Sequence, residues 1–296
     1  MKDWIAGARP RTLPAALVPV LVGTAAAAGM NGDVDALKGI ILWRFFAALV
    51  VSFALQIGVN YANDYSDGIR GTDADRMGPM RLTGSGRKAP KSVKRAAFLS
   101  FGIAAIAGLG LAAATSWWLI AVGALAIAAA WFYTGGPKPY GYAGLGEVFV
   151  FVFFGIVATT GSAFVQIIRV TPLTLLVAVP IGLFATALLV VNNLRDIPGD
   201  TESGKRTLAV RLGDRRTRIF YIILIVLPFF TVPLLCGLSQ RPAGAFAMFA
   251  VLLARKPVQR VIEGARGTAL IPVLGATGKV QLAFGVLLSV GLFVGG

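Results

Sequence analysis

Long apolar runs alternate with short polar loops along the whole chain. Most runs reach the length of about 20 residues that an α-helix needs to cross a hydrocarbon core of about 30 Å. The pattern predicts an all-α integral membrane protein of about nine transmembrane helices, over residues 13–30, 40–62, 96–115, 117–134, 145–166, 172–193, 219–238, 242–254 and 275–295. The eighth run is short, so whether it crosses fully is left open. Residues 1–296 are expected to form a single multi-pass domain.

Composition and charge agree with this pattern. Hydrophobic residues make up 56% of the 296 residues, charged residues make up 14%, and the mean hydropathy is +0.77, far from the usage of a soluble domain. With the N-terminus in the cytoplasm, twenty-four of the 28 basic residues fall on the cytoplasmic side, as short cytoplasmic loops require. The predicted outer side holds the other four: Lys38, Arg44, Arg169 and Arg241.

The net charge of +15 therefore follows from membrane topology. Basic loops of this kind meet anionic headgroups, so membrane lipids are expected partners, and no basic groove interleaved with aromatic residues indicates nucleic acid. The cell membrane is the expected location, with the working face toward the cytoplasm.

Acidic residues concentrate in two loops, after the second and the sixth apolar runs, which hold eight of the thirteen. The first cluster has the spacing i, i+3, i+4 and i+7, which predicts one stripe of a helix, and consists of Asn60, Asn63, Asp64 and Asp67. Asp73 and Asp75 follow Gly68 and Gly71, so a turning loop is expected there.

The second cluster contains Asn192 or Asn193, then Asp196 and Asp200. Pro198 disfavours helix at the preceding residue, so a shared helical stripe is expected only as far as Asp196. The second and sixth runs both point toward the cytoplasm, which places the two clusters on the same membrane face.

Carboxylates and amide carbonyls are hard oxygen ligands that suit Mg²⁺, an ion that commonly shares its coordination sphere with substrate phosphates. Basic residues beside the two clusters are candidates to bind a diphosphate: Arg70, Arg81, Lys205 and Arg206. The alternative is that the two acidic clusters form an ordinary solvent-exposed surface without a bound metal. The chain has no histidine, which excludes Ser-His, Cys-His and zinc-His chemistry.

A phosphate site at the foot of an apolar bundle suits a lipid diphosphate. The metal would stabilise the departing diphosphate as a Lewis acid, and aromatic rings would shield the allylic cation by cation–π attraction. Four candidate rings suit an interfacial belt equally well: Trp131, Phe132, Tyr133 and Tyr140.

Two further charged residues lie next to the fifth run. Lys138, in the loop "GGPKPY", is a candidate to bind the diphosphate or an acceptor carboxylate, and it serves equally as a marker of the cytoplasmic side. Glu147 is a candidate to face the cavity, although an acid in a helix's first turn also complements the helix dipole.

Four stretches, in order along the chain, resemble the UbiA-type intramembrane prenyltransferase superfamily, and within it the branch that acts on 1,4-dihydroxy-2-naphthoate in menaquinone biosynthesis. They are "ARPRTLPAALVPVLVG" at 8–23, "NYANDYSDGIRGTDADRMGPMRLTGSG" at 60–86, "YTGGPKPYGYAGLGEVFVFVFFG" at 133–155 and "NNLRDIPGDTESGKRTLAVRLG" at 192–213. The resemblance implies a bundle of nine transmembrane helices around a central cavity open to the cytoplasmic side.

The resemblance further implies that Mg²⁺ ions bridge the two motifs to a polyprenyl diphosphate. The implied metal ligands are Asn60, Asn63, Asp64, Asp67, Asp73, Asn192, Asp196 and Asp200, with Asp64, Asp67, Asp196 and Asp200 as the catalytic set, and the implied substrate-binding residues are Arg70, Arg81, Lys138, Tyr140, Glu147, Lys205 and Arg206. Gly71 stands where the superfamily has an aspartate, and Asp73 follows two residues later.

The implied reaction joins the prenyl chain to 1,4-dihydroxy-2-naphthoate, with loss of its carboxylate as carbon dioxide, and gives demethylmenaquinol. The proton acceptor is either a carboxylate or the released diphosphate. Members that act on 4-hydroxybenzoate, on homogentisate or in haem farnesylation are rival readings. A transporter is a rival from another class, but transporters place ionisable groups near the bilayer midplane, where these runs have almost none.

Overall fold

The computed structural model describes residues 1–30, 36–72 and 80–295, and every regular element in these ranges is helical. The α-helices are α1 (Lys2–Gly7), α2 (Pro14–Ala27), α3 (Leu42–Ile69), α4 (Pro90–Ala114), α5 (Trp118–Phe132), α6 (Gly146–Val150), α7 (Ala158–Ile167), α8 (Pro172–Glu202), α9 (Leu208–Ser239), α10 (Val251–Ile262) and α11 (Leu270–Gly295). A π-helical stretch, Phe151–Val157, joins α6 to α7, and a 3-10 segment, Pro242–Ala250, leads into α10.

Six helical segments within the described ranges are long and apolar enough to cross a membrane: α3, α4, Gly146–Ile167, α8, α9 and Gly267–Gly295. A seventh is a pair, Lys2–Thr12 and Pro14–Ala27, bent by 52°. All nine predicted runs coincide with helical segments, but α5 has only 15 residues and the eighth run is divided between the 3-10 segment and α10. The all-α membrane fold is confirmed, and the count of nine is approximate.

Proline and threonine begin several of these helices. Pro14, Pro90 and Pro172 occupy the first turns of α2, α4 and α8, where a missing backbone N–H costs nothing. A capping box fixes the start of α8, because Thr171 accepts from the backbone N–H of Thr174, whose hydroxyl accepts from the N–H of Thr171.

The end of α8 corrects one expectation. The helix continues through Pro198 to Glu202, whereas the proline led us to end the shared stripe at Asp196. A proline inside a helix removes one backbone donor and kinks the helix. Here it lies within the last turns of a helix of 31 residues, and the Thr201 hydroxyl donates to the Ile197 carbonyl at 2.7 Å. Asp200 therefore lies on the same helix as Asp196.

The bundle packs as two halves with a space between them. The larger apolar core joins α2, α8, α9 and α11, and a smaller one joins the N-terminal segment with α3 and α4. Gly155 and Gly182 bring the π-helical stretch against α8, since a Cβ atom on Gly155 would lie 2.5 Å from the Cα atom of Gly182. This close approach fixes α8 along one wall of the space.

The four basic residues of the predicted outer side all bind helix C-terminal carbonyl groups. Lys38 donates to Val294 at 2.8 Å, and Arg169 donates to Met30 at 2.7 Å. Arg44 donates at 3.0 Å to carbonyls near the ends of α7 and α4. Arg241 is buried and donates to carbonyls of Ala25, Ala26, Ala28 and Leu292. These cations satisfy carbonyl groups that a helix leaves without partners. We call the four residues the carbonyl-capping cations.

Candidate active site

A cavity of about 870 Å³ lies between the two halves of the bundle. Its walls are mainly apolar and come from α2, α3, α4, α5, the π-helical stretch, α7 and α8. Its polar end lies where α3 and α8 terminate, and the amide and carboxylate groups there are Asn60, Asn63, Asp67, Asn192, Asn193, Asp196 and Asp200. The cavity thus combines an apolar compartment with a polar end.

Three of the four polar residues predicted on α3 line the cavity. The side-chain amide of Asn60 donates to the Ala8 carbonyl at 3.0 Å, which fixes the residue against the N-terminal segment. The Thr134 hydroxyl donates to Asn63 Oδ1 at 2.8 Å. These contacts orient the two amides at the cavity wall.

Asp64, predicted as a metal ligand and catalytic residue, does not line the cavity. It is 1% exposed, and its two carboxylate oxygens accept the backbone N–H groups of Leu82 at 2.7 Å and Thr83 at 2.8 Å. Successive residues on a helix are about 100° apart, so Asp64 falls at the edge of the stripe away from Asn63. The structure makes Asp64 the anchor of the loop that contains Arg81.

Asp67 is the carboxylate around which the first cluster is organised. It accepts a hydrogen bond from the Tyr142 hydroxyl. Lys205 Nζ lies 3.3 Å from its Oδ1 atom, and the guanidinium of Arg81 lies 3.7 Å from its Oδ2 atom. All these groups are largely withdrawn from solvent, and such desolvated ion pairs depend strongly on good geometry.

The second cluster lies on the facing helix, α8. Arg195 makes a bidentate contact to Asp196, with distances of 2.7 and 2.8 Å, and also donates to Asn192 Oδ1 at 2.8 Å. Asn193 donates to Glu147 Oε1 at 3.0 Å. Asn192, Asn193, Asp196 and Asp200 all line the cavity.

Lys205 connects the two clusters. Its ammonium is 3.3 Å from Asp67 of α3 and 4.0 Å from Asp200 of α8. The two Asn-and-Asp clusters that the sequence separates by more than a hundred residues are therefore neighbours at one end of the cavity.

Several predicted substrate-binding residues lie outside the cavity wall. Lys138 and Arg206 are exposed, because their loops turn them outward. Arg70 donates to the carbonyls of Thr134 and Gly136 beside the cavity. Glu147 is buried behind Asn193. Asp73 and Asp75 lie outside the described residues.

The four predicted aromatic residues divide into two pairs. Tyr133 and Tyr140 line the cavity, and Tyr140 stacks on Phe149 with a centroid distance of 4.0 Å. Trp131 instead packs against Phe98, and Phe132 is exposed. Burial raises the pKa of Tyr140 above the ordinary value, and a tyrosine of ordinary pKa is already protonated near neutral pH.

Sequence reasoning missed several polar residues of the site, among them Thr134, Tyr142, Arg195, Arg9 and Arg11. Tyr142 lies only two residues beyond Tyr140, and Arg195 lies inside the second aspartate motif. Arg9 and Arg11 of the N-terminal segment also line the cavity. The signal that could have found Arg9 and Arg11 is the first of the four resembling stretches, which contains both.

The donor set fits Mg²⁺ held jointly with a substrate. The Asn and Asp side chains at the polar end offer amide and carboxylate oxygens, which are ligands of the kind this ion prefers. In the described part of the chain, no three acidic residues are grouped closely enough to hold an ion by themselves. Mg²⁺ bound by one or two carboxylates together with substrate phosphates requires no such group.

Comparisons with known proteins point to one family. Residues 16–269 match the family described as the UbiA prenyltransferase family. A 1,4-dihydroxy-2-naphthoate octaprenyltransferase of Mycobacterium tuberculosis is 50% identical over 294 residues, which cover 99% of this chain and 97% of the relative. An Escherichia coli protein of the same name is 37% identical, over 98% of this chain and 95% of its own length.

Solved structures share the fold at low sequence identity. A UbiA homolog from Archaeoglobus fulgidus aligns with a TM-score of 0.69 at 11% identity and covers 98% of this chain and 99% of its own. The same homolog bound to DMAPP and Mg²⁺ aligns with a TM-score of 0.63 at 13% identity, over 97% of this chain and 99% of its own.

Proposed function

Because the chain belongs to the UbiA prenyltransferase family, we propose that it transfers a polyprenyl group from polyprenyl diphosphate to 1,4-dihydroxy-2-naphthoate. The carboxylate of the acceptor leaves as carbon dioxide, and the product is demethylmenaquinol. One observation carries the proposal beyond the relatives' names: Asp67 and Asp200, from two separate motifs, meet across Lys205 at the polar end of an otherwise apolar cavity.

The donor's two parts match the two parts of the cavity. Its diphosphate belongs at the polar end, where Lys205, Arg81 and Arg195 supply cations. Its prenyl chain belongs along the apolar walls, where its burial is favourable in proportion to the area removed from water. An acceptor that binds between the polar end and the apolar walls would reach the first carbon of the prenyl chain.

The residues that would hold Mg²⁺ are those lining the cavity: Asn60, Asn63, Asp67, Asn192, Asp196 and Asp200. When bound with the diphosphate, the ion supplies Lewis-acid stabilisation of the leaving group. Asp64 is not included in this ligand set, since both its oxygens bind the backbone of the 80–86 loop. Mg²⁺ dependence is part of the proposal.

The chemistry itself needs few protein groups. The C–O bond of the donor breaks, and the diphosphate leaves with the electron pair. Tyr133 and Tyr140 line the cavity and shield the allylic cation through their ring faces. A ring carbon of the acceptor then forms the new C–C bond, and loss of carbon dioxide restores aromaticity. The proton that the acceptor's carboxyl group loses passes to a protein carboxylate or to the released diphosphate, because both tyrosine phenols are already protonated.

The multi-pass membrane fold places this site in a bilayer. We further propose the cell membrane as the location, with the N-terminus and the polar end of the cavity on the cytoplasmic side, because the basic loops collect there. We also retain the prediction that residues 1–296 act as one prenyltransferase domain.

The test uses purified full-length protein, Mg²⁺, a long polyprenyl diphosphate and 1,4-dihydroxy-2-naphthoate labelled in its carboxyl group. We expect release of labelled carbon dioxide, a prenylated quinol product, and no product from 4-hydroxybenzoate. Turnover of 4-hydroxybenzoate or homogentisate without turnover of the naphthoate would overturn the acceptor assignment. Full activity in Asp67→Ala or Asp196→Ala would overturn the metal site.

A further inference from the structure

Tyr142 occupies the junction of the two carboxylate clusters. It belongs to a 3-10 turn, Tyr140–Ala143, between α5 and α6, and its side chain lines the cavity. Its hydroxyl donates to Asp67 Oδ1. Its carbonyl accepts the backbone N–H of Arg206 at 2.9 Å, which ties the turn to the loop that follows α8.

The ring of Tyr142 lies close to two cations. Lys205 Nζ is 4.7 Å from the ring centroid, and the guanidinium carbon of Arg70 is 5.5 Å from it. Both distances fall within the range of a cation–π interaction. One side chain therefore contacts Asp67 through its hydroxyl and Lys205 through its ring, while those two residues contact each other at 3.3 Å.

The hydroxyl works as a hydrogen-bond donor and not as an acid or base. The phenol donates to Asp67 Oδ1, and a tyrosine of ordinary pKa is already protonated near neutral pH. A carboxylate side chain that ligates a metal needs such an outer partner to hold its rotamer.

We propose that Tyr142 is a positioning residue, whose hydroxyl orients Asp67 for the metal and diphosphate and whose ring keeps the Lys205 ammonium beside that carboxylate. The inference rests on the proposed metal site. It adds a residue that binds neither metal nor substrate directly, and it assigns separate tasks to the hydroxyl and the ring.

The neighbouring tyrosine shows why the hydroxyl of Tyr142 is distinctive. Tyr140 lies in the same 3-10 turn and also lines the cavity, but its hydroxyl donates to the backbone carbonyl of Ala129 at 2.8 Å. A carbonyl of the α5 backbone is already fixed, so that bond orients the tyrosine. The bond from Tyr142 instead reaches a carboxylate side chain, whose other contacts include the cations of Lys205 and Arg81.

The test measures Mn²⁺ binding by electron paramagnetic resonance in the purified full chain, with saturating inorganic diphosphate as the second ligand. We expect Tyr142→Phe to raise the Mn²⁺ dissociation constant by about 10-fold, the low end of the range for lost outer partners of metal ligands. Tyr142→Leu, which also removes the ring, should raise it further. In turnover assays, added Mg²⁺ should restore much of the rate of Tyr142→Phe.

Tyr221→Phe is the matched control. Tyr221 is fully buried in the core, and its hydroxyl bonds to that of Thr277 at 2.6 Å. The control should lower thermal stability and leave Mn²⁺ affinity unchanged, which separates loss of a buried hydrogen bond from loss of positioning.

Asp67→Asn separates this inference from the proposed function. If Asp67→Asn weakens Mn²⁺ binding and Tyr142→Phe stays within 2-fold of the unsubstituted protein, the positioning role is wrong and the metal site stands. If Asp67→Asn binds Mn²⁺ like the unsubstituted protein, the proposed metal site falls and the positioning role falls with it.

Discussion

Replacing Asp64 with alanine tests whether this carboxylate holds a loop or ligates a metal. The side chain is almost completely buried and accepts the N–H groups of Leu82 and Thr83. The loop that it holds also contains Arg81, whose guanidinium lies 3.7 Å from Asp67. Loss of the carboxylate should therefore release the loop first and disturb the site second.

The size of the effect follows from the two hydrogen bonds. A buried N–H group left without an acceptor costs roughly 1–3 kcal/mol, so Asp64→Ala should lower the free energy of unfolding by about 4 kcal/mol. Asp64→Asn keeps one acceptor oxygen and should lose about half as much. Equilibrium unfolding in mixed detergent and SDS micelles measures both values.

A local assay reports on the loop itself. Arg81 is buried, at 8% exposure, so trypsin should cleave after it slowly in the unsubstituted protein and rapidly in Asp64→Ala. Asp214→Ala is the matched control, since it removes a carboxylate that pairs with Arg218 on α9 and leaves the contacts of Arg81, Leu82 and Thr83 in place. If Asp64→Ala keeps Arg81 protected and its stability intact, yet weakens Mn²⁺ binding as Asp67→Ala does, the anchor role is refuted and Asp64 is a ligand.

Three further substitutions examine other parts of the molecule. Lys205→Met should raise KM for the polyprenyl diphosphate about 10-fold, which is the effect of losing one charge-assisted contact. Arg206 is exposed, so Arg206→Met should change the same KM less than 2-fold. Equal KM values for the two variants would contradict the bridging role of Lys205. Gly161→Leu should disfavour long prenyl donors relative to geranyl diphosphate in competition assays, because Gly161 lines the cavity and has open space beside it. Gly237 is exposed, so Gly237→Leu should leave donor preference unchanged. An unchanged preference in Gly161→Leu would mean that the prenyl chain binds elsewhere. Arg241→Met should lower the free energy of unfolding by about 3 kcal/mol without changing KM. Arg169→Met removes an exposed side chain that donates to the Met30 carbonyl, and it should have a small effect on the same measurement.

Hydrophobic pattern alone was enough to predict the helical membrane fold. Each predicted run became a helical segment, because a backbone in a bilayer satisfies its polar groups most simply within a helix. The pattern could not decide how many segments cross fully. The 3-10 segment Pro242–Ala250 and the short α5 are set by packing against neighbours, which a window of sequence does not contain.

Residues of the candidate site could be predicted where their spacing along a helix determines the direction in which the side chains point. Asn60, Asn63 and Asp67 face the cavity together because they share a helical face. Asp64 belongs to the same spacing, but its direction was decided by a loop about 20 residues later in the chain.

Contacts between residues far apart in the sequence also determine where the remaining side chains of the site lie. Tyr142 gains its importance from Asp67, 75 residues away. Lys138 had the right charge in a suitable motif, yet its loop turns it outward. Spacing within one helix carries no information about such contacts.

The carbonyl-capping cations imply an order of assembly. In the proposed orientation, each of these four positive charges is carried across the bilayer during insertion, at a cost. The carbonyl groups that offset this cost are distant along the chain. Arg241 and Ala28 are 213 residues apart, and Lys38 and Val294 are 256 residues apart. Lys38 cannot reach the Val294 carbonyl until α11, which begins 232 residues later in the sequence, is in place. Completion of the outer rim is therefore a late event of biogenesis, and a chain truncated before α11 would leave Lys38 without the Val294 carbonyl.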